Sequence, residues 1–181
     1  MFMPSSMSFL NLRKIGICYC DGMINFMNSS TSRSLVQLQH ITIKKCKEMR
    51  QVIVDEEEAG ENVMVFPKLE TLALYGLPNL KSFNSGNSEI QFPNLEKVIV
   101  IECPHMENFS SGNVITSKLA KIITKVLEDE YFFDMMYAEG IEDDWKGDLK
   151  TTVTMIWEEN NNEQPMTSDQ DYDSCSTSSS Q

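Results

Sequence analysis

Four segments of this chain carry one spacing of apolar residues, and that spacing restricts the fold more than any single residue does. The segments start at Leu12, Leu38, Leu69 and Leu95, and the residues 3, 5, 8, 11 and 14 places beyond each start are apolar every time. In order they are Ile15, Ile17, Cys20, Met23 and Phe26; Ile41, Ile43, Cys46, Met49 and Val52; Leu72, Leu74, Leu77, Leu80 and Phe83; Val98, Val100, Cys103, Met106 and Phe109. The starts lie 26, 31 and 26 residues apart. A unit of this length cannot bury its apolar face alone. Copies stacked on one another can, so the chain is predicted to be a repeat solenoid whose stability is close to a sum of repeat terms and nearest-neighbour interfaces.

Within one unit the pair Ile15-x-Ile17 has period two, which places both side chains on the inner face of a short strand and leaves Lys14, Gly16 and Cys18 facing out. Beyond the strand the period relaxes to three, which suits an irregular or 3₁₀ return rather than a long helix. A fifth, weaker copy begins at Leu119, where Thr124 takes the third apolar place. Phe66-Pro67 and Phe92-Pro93 precede two of the starts at equal distance, with Phe9-Leu10 in the equivalent place, so a buried ring and a fixed φ are expected to turn the chain into each strand. The L-x-x-L-x-L-x-x-N/C core matches that of a leucine-rich repeat. The expected architecture is an α/β-type repeat solenoid, a leucine-rich-repeat horseshoe arc of short parallel strands.

Outside the repeats the chain changes character. Residues 1–125 hold 13 Lys/Arg and 12 Asp/Glu, a net of +1, and residues 126–181 hold 2 and 15, a net of −13. The acidic character therefore belongs to the C-terminal part, which argues against nucleic acid as its partner. We divide the chain into an N-terminal lead at 1–8, about five repeats over 9–126, an acidic linker and capping segment over 127–157, and a disordered tail rich in Asp, Glu, Ser and Asn over 158–181. Asp148 is a plausible N-cap for a C-terminal capping helix with Leu149, Val153, Ile156 and Trp157 on one face. Asp55-Glu56-Glu57-Glu58 reads as a solvated loop that lengthens the second spacing.

Chemistry is scarce. Five cysteines, an odd number without a secretory leader, suggest a reducing compartment. Cys20, Cys46 and Cys103 share a column with Leu77 and read as buried thiols, and Cys18-Tyr19-Cys20 is not a zinc spacing. The two sequons, at Asn28 and Asn108, are read as silent. No catalytic, cofactor or metal site is expected. His40 and His105 have no nucleophile motif beside them, and the paired carboxylates Asp143-Asp144 and Glu158-Glu159 lie in solvated runs with no apolar pocket to separate their pKa values. No G-x-x-x-x-G-K-[ST] loop is present, and no apolar run reaches the roughly 18 residues of a membrane span.

Leu38-Gln39-His40-Ile41-Thr42-Ile43-Lys44-Lys45-Cys46-Lys47-Glu48-Met49 resembles the C-terminal repeats of plant coiled-coil nucleotide-binding disease-resistance proteins. Phe66-Pro67-Lys68-Leu69, Phe92-Pro93-Asn94-Leu95 and the closing Gly147-Asp148-Leu149-Lys150-Thr151-Thr152-Val153 carry the same resemblance, which covers about residues 9–157. It implies a non-catalytic, cytoplasmic protein-recognition module of an immune receptor, without its nucleotide switch. The implied partners are a pathogen effector, a guarded host protein or the nucleotide-binding domain of a receptor. The alternatives are a repeat adaptor such as a ubiquitin-ligase substrate recruiter, for which eight leading residues leave no room for an F-box, and a non-functional receptor fragment. The alternation places Lys14, Gly16 and Cys18, His40, Thr42 and Lys44, Thr71, Ala73 and Tyr75, Lys97, Ile99 and Ile101, and Lys121, Ile123 and Lys125 on the concave face. We expect the face to be mildly basic and partly apolar, fit for an acidic protein surface, with Lys14, His40, Thr42, Lys44, Thr71, Tyr75, Lys97, Ile99, Ile101, Lys121 and Ile123 as the binding residues.

Overall fold

The structure is a computed structural model and describes residues 9–55 and 63–124, together with Leu149 and Thr151. Its elements are β1 (Lys14–Cys18), β2 (Asn25–Asn28), α1 (Ser29–Ser32), β3 (His40–Lys44), β4 (Gln51–Val54), β5 (Val63–Val65), β6 (Thr71–Tyr75), β7 (Ser82–Asn84), β8 (Glu89–Phe92), β9 (Lys97–Ile101), β10 (Val114–Thr116) and β11 (Lys121–Ile123). All strand pairs are parallel. The five repeat strands form one sheet in the order β1-β3-β6-β9-β11. They sit in full register, so that Ile15, Ile41, Leu72, Val98 and Ile122 make one inner row. This is the sheet that the alternation predicts.

Each return begins with the same turn. The N–H of Met23, Met49, Leu80 and Met106 donates to the carbonyl of Cys20, Cys46, Leu77 and Cys103 respectively, at 3.0–3.2 Å. That i to i+3 closure explains the Cys-x-x-Met spacing. Beyond it the returns depart from the irregular or 3₁₀ path expected. They run extended and pair between repeats, as a three-stranded sheet β2-β4-β7 continued by an Asn84–Ser110 bridge, and as a second three-stranded sheet β10-β8-β5. The physical reason is backbone satisfaction. Once the turns stack in register, the N–H and C=O groups of one return face those of the next, and pairing them avoids leaving buried groups unbonded. The bond from Arg50 N–H to Ile24 C=O recurs at Lys81 to Arg50 and at Glu107 to Lys81.

The core lies between these sheets. Leu38, Ile41, Ile43, Cys46, Met49 and Val52 are all inaccessible to solvent, as are Leu69, Leu72, Leu74, Leu77, Leu80 and Phe83. Repeat one is looser, with Leu12, Ile17, Cys20 and Met23 only half-buried. The Phe before each start is buried as expected at Phe66 and Phe92, and Leu35 fills that place in repeat two. Of the capping helix, Leu149 is helical and fully buried within the same core cluster. Asp148, Val153, Ile156 and Trp157 lie outside the described residues, as do the lead, residues 56–62 and the tail.

One backbone feature recurs in every complete repeat. The residue after each strand is left-handed: Tyr19 (φ 56), Lys45 (φ 50), Gly76 (φ 61) and Glu102 (φ 54). This corner reverses the alternation, so that the next residue, Cys20, Cys46, Leu77 or Cys103, turns back to the core. The thiols brace it. Sγ of Cys20, Cys46 and Cys103 donates to the carbonyl two residues earlier at 3.4–3.5 Å, and Sγ of Cys46 also accepts from the Cys20 N–H at 3.4 Å. Leu77 has no such group, and Gly76 stands before it. Gly76→Ala is therefore expected to lose about 1 kcal/mol in urea unfolding, since an added Cβ would also lie 3.2 Å from the Lys45 side chain. Gly76→Asn, which tolerates this conformation, should recover part of the loss.

Candidate functional site

The outer face of the five-stranded sheet is the concave face of such a solenoid, and the register assigns each of its side chains a row. Lys14, His40, Thr71, Lys97 and Lys121 stand side by side across the five strands. Gly16, Thr42, Ala73, Ile99 and Ile123 form the next row, and Cys18, Lys44, Tyr75 and Ile101 the third. All eleven expected binding residues thus share one face. Lys125 falls outside the described residues.

Exposure divides that face. Lys14, Gly16 and Cys18 are exposed, and His40, Thr42, Lys44, Thr71, Tyr75, Lys97 and Lys121 are half-buried. Ile99, Ile101 and Ile123, expected to add exposed apolar surface, are instead buried at 1%, 7% and 3% exposure. With Ala73 they form a second small apolar cluster, separate from the main core, against which Tyr75 packs. The alternation gives the side of the sheet on which an isoleucine stands but cannot say whether that side is covered.

Polar contacts tie the exposed part together along one rim. The Lys44 ammonium lies 6.0 Å from the Tyr19 ring centroid, and that of Lys45 lies 5.5 Å from the Tyr75 ring. The Tyr75 hydroxyl donates to Glu102 Oε1 at 3.1 Å. Tyr19, Lys45 and Glu102 are the left-handed corner residues, which sequence reasoning missed. A glycine directly before the Cys/Leu column, as at Gly76, was the only signal of that corner. The His40 imidazole holds its pKa below the usual histidine value because burial and the Lys14 charge both disfavour the cation, with Glu70 opposing them. His40 is therefore neutral at physiological pH.

The chemistry available is that of binding. Burial pushes the Cys103 thiol up to about 12 and raises that of Cys46, which keeps both as unreactive thiols near neutrality. Cys18, Cys20, Cys46 and Cys103 are free, and among the described residues no group of His, Cys, Asp and Glu could hold a metal. His105 is exposed, with Nδ1 against the Pro78 carbonyl and no nucleophile in that contact. Asn28 is buried and its Oδ1 accepts from the Thr31 N–H, so the first sequon serves as a helix cap. The described residues contain no helix long and apolar enough to cross a membrane.

A parallel-strand solenoid of stacked repeats is an architecture typical of protein-interaction repeat domains. The family model for plant disease resistance protein RPS2-like leucine-rich repeats matches residues 2–125, and the chain belongs to that family. No curated protein and no solved structure gives a significant match. The repeats of such a chain are an interaction module in plant immunity, of a fold that is typically non-catalytic.

Proposed function

We propose that this chain is the recognition module of a cytoplasmic plant immune receptor and that its concave face takes an acidic surface of a pathogen effector, a guarded host protein or a receptor's nucleotide-binding domain. The observation that carries this reading is the row Lys14-His40-Thr71-Lys97-Lys121 with Lys44 beside it: four cations held in register on one sheet face, and no carboxylate at any of the outward positions of that face. Rigid strands fix the spacing of these groups before a partner arrives, which lowers the ordering cost of binding. Acidic partners are also steered toward a basic face.

The test is charge reversal at Lys14, Lys44 and Lys97 together, scored by recovery of the cognate partner and by thermal unfolding. Loss of the partner with an unchanged midpoint is the expected result, while the control Lys81→Glu, at a side chain 61% exposed beside β7, should retain it. Equal recovery by both variants would remove the concave face from the reading.

A further inference from the structure

Burial on the outer face of the five-stranded sheet rises toward one end. Along the middle row Gly16 is exposed and Thr42 half-buried, while Ala73, Ile99 and Ile123 are buried; along the third row Cys18 is exposed, Lys44 and Tyr75 are half-buried and Ile101 is buried. An uncovered sheet face gives a different profile, because side chains on both of its end strands have a neighbour on one side only. Among the described residues β11 pairs with β9 alone, as β1 pairs with β3 alone. Ile123 on β11 is buried nonetheless, and so is Thr124 after it. The side chains grouped with Ile123 are Ala73, Ile99, Ile101 and the half-buried Tyr75. These stand beside it on the same surface, where they shield its flanks and not its top.

We propose that the C-terminal half of the concave face is a docking surface for the acidic segment 126–148 of the same chain, seated over Ala73, Ile99, Ile101 and Ile123. The segment is attached at the right place, since it follows β11 directly and the chain is back in the main core cluster at Leu149. It is also long enough. The 24 residues between Thr124 and Leu149 reach about 80 Å when extended, against about 10 Å across the two strand spacings from β11 to β6. Its chemistry complements the face. Residues 126–148 hold nine Asp/Glu and one Lys, together with Tyr131, Phe132, Phe133, Tyr137 and Trp145. They would meet an apolar cluster with Lys97 and Lys121 beside it in register, and no carboxylate at any outward position. Rings bury apolar area on the isoleucines, and carboxylates reach the ammonium groups at the margin, where partial desolvation strengthens the attraction. Residues 158–181 carry six carboxylates but a single ring, Tyr172, so they match the charge of the face without its apolar part. The inference does not depend on an outside partner, and it leaves Lys14, Gly16 and Cys18 of β1 as the exposed part of the face.

The full chain is treated at low concentration with a carbodiimide, which joins a lysine directly to a carboxylate it touches, and the links in the monomeric product are mapped by mass spectrometry. The expected result is amide links from Lys97 and Lys121 to carboxylates between Glu128 and Asp148. Ile99→Asp, which sets a charge inside the apolar cluster, should abolish these links while the circular dichroism of the strands is kept. Ile99→Thr keeps the branched shape that suits a strand and removes part of the apolar surface, so it should lower their yield should the aspartate variant fail to fold. Links from the two lysines confined to repeat carboxylates such as Glu70 and Glu96 overturn the proposal. Links to residues 158–181 in place of the segment, or links found only in a dimeric product, overturn it by naming a different occupant, and a yield that neither Ile99 variant lowers overturns it equally.

Discussion

Phe92→Ala is expected to cost about 3–5 kcal/mol. Phe92 closes β8, is fully buried, and touches three other rings. Its centroid lies 5.4 Å from that of Phe66 in a stacked arrangement, and 6.0 and 6.3 Å from those of Phe83 and Phe109 edge-on. Phe83 and Phe109 stack at 4.8 Å. These four rings join the sheet β10-β8-β5 to the sheet β2-β4-β7 across repeats three and four. Removing the central one opens a cavity that rigid neighbours on three sides cannot fill, and forfeits ring contacts worth about 0.5–1.5 kcal/mol each beyond area burial. Urea unfolding checks the size of the loss. Phe92→Leu, which keeps most of the volume and none of the ring geometry, should fall between the wild type and alanine. A loss from alanine below about 1.5 kcal/mol, the level of a volume-conserving swap, would show that the ring cluster is not a continuous core.

The second large effect depends on position along the solenoid. Leu72→Ala, in the inner row of the central strand β6, should cost about 2–5 kcal/mol, because Leu72 is inaccessible and has a repeat packed on each side. Leu12→Ala removes the same atoms from a half-buried site in the first repeat and should cost less than half as much. In a quasi-one-dimensional stack each repeat contacts only its neighbours, so a repeat packed on one neighbour among the described residues has less to lose. Equal shifts of the urea midpoint at Leu12 and Leu72 would contradict the burial gradient.

The two substitutions also separate what was legible in the sequence from what was not. Leu72 is placed by counting. Its row mates Ile15, Ile41, Val98 and Ile122 follow from the period-two step after each start, and the parallel register confirms them residue by residue. The closing turns at Cys-x-x-Met follow from the period-three step. Phe92 is different: its burial is foreseeable from the recurring Phe-Pro, but its place among Phe66, Phe83 and Phe109 is not, since those contacts join residues 9 to 26 positions apart along the chain. The extended returns were missed for the same reason. A three-residue apolar period is compatible with a turn, a 3₁₀ segment or a short strand, and the choice is made by backbone groups of the neighbouring repeat.

The candidate site divides likewise. That Lys14, His40, Lys44, Tyr75, Lys97 and Lys121 share a face is a consequence of strand alternation, which local sequence dictates. That Ile99, Ile101 and Ile123 are buried on that face, and that Tyr19, Lys45 and Glu102 take left-handed corners at its rim, could not be read from the pattern. Burial is a property of whatever packs above a side chain, and a positive φ at a tyrosine, lysine or glutamate runs against local preference and persists only because the stack holds it. The sequence by itself thus determined the repeat, its inner columns and the side of the sheet on which each residue stands, because these depend on spacing along one strand. The tertiary structure alone decided the pairing of the returns, the ring cluster and the exposure of the concave face, because each depends on atoms that only the stacked neighbours supply.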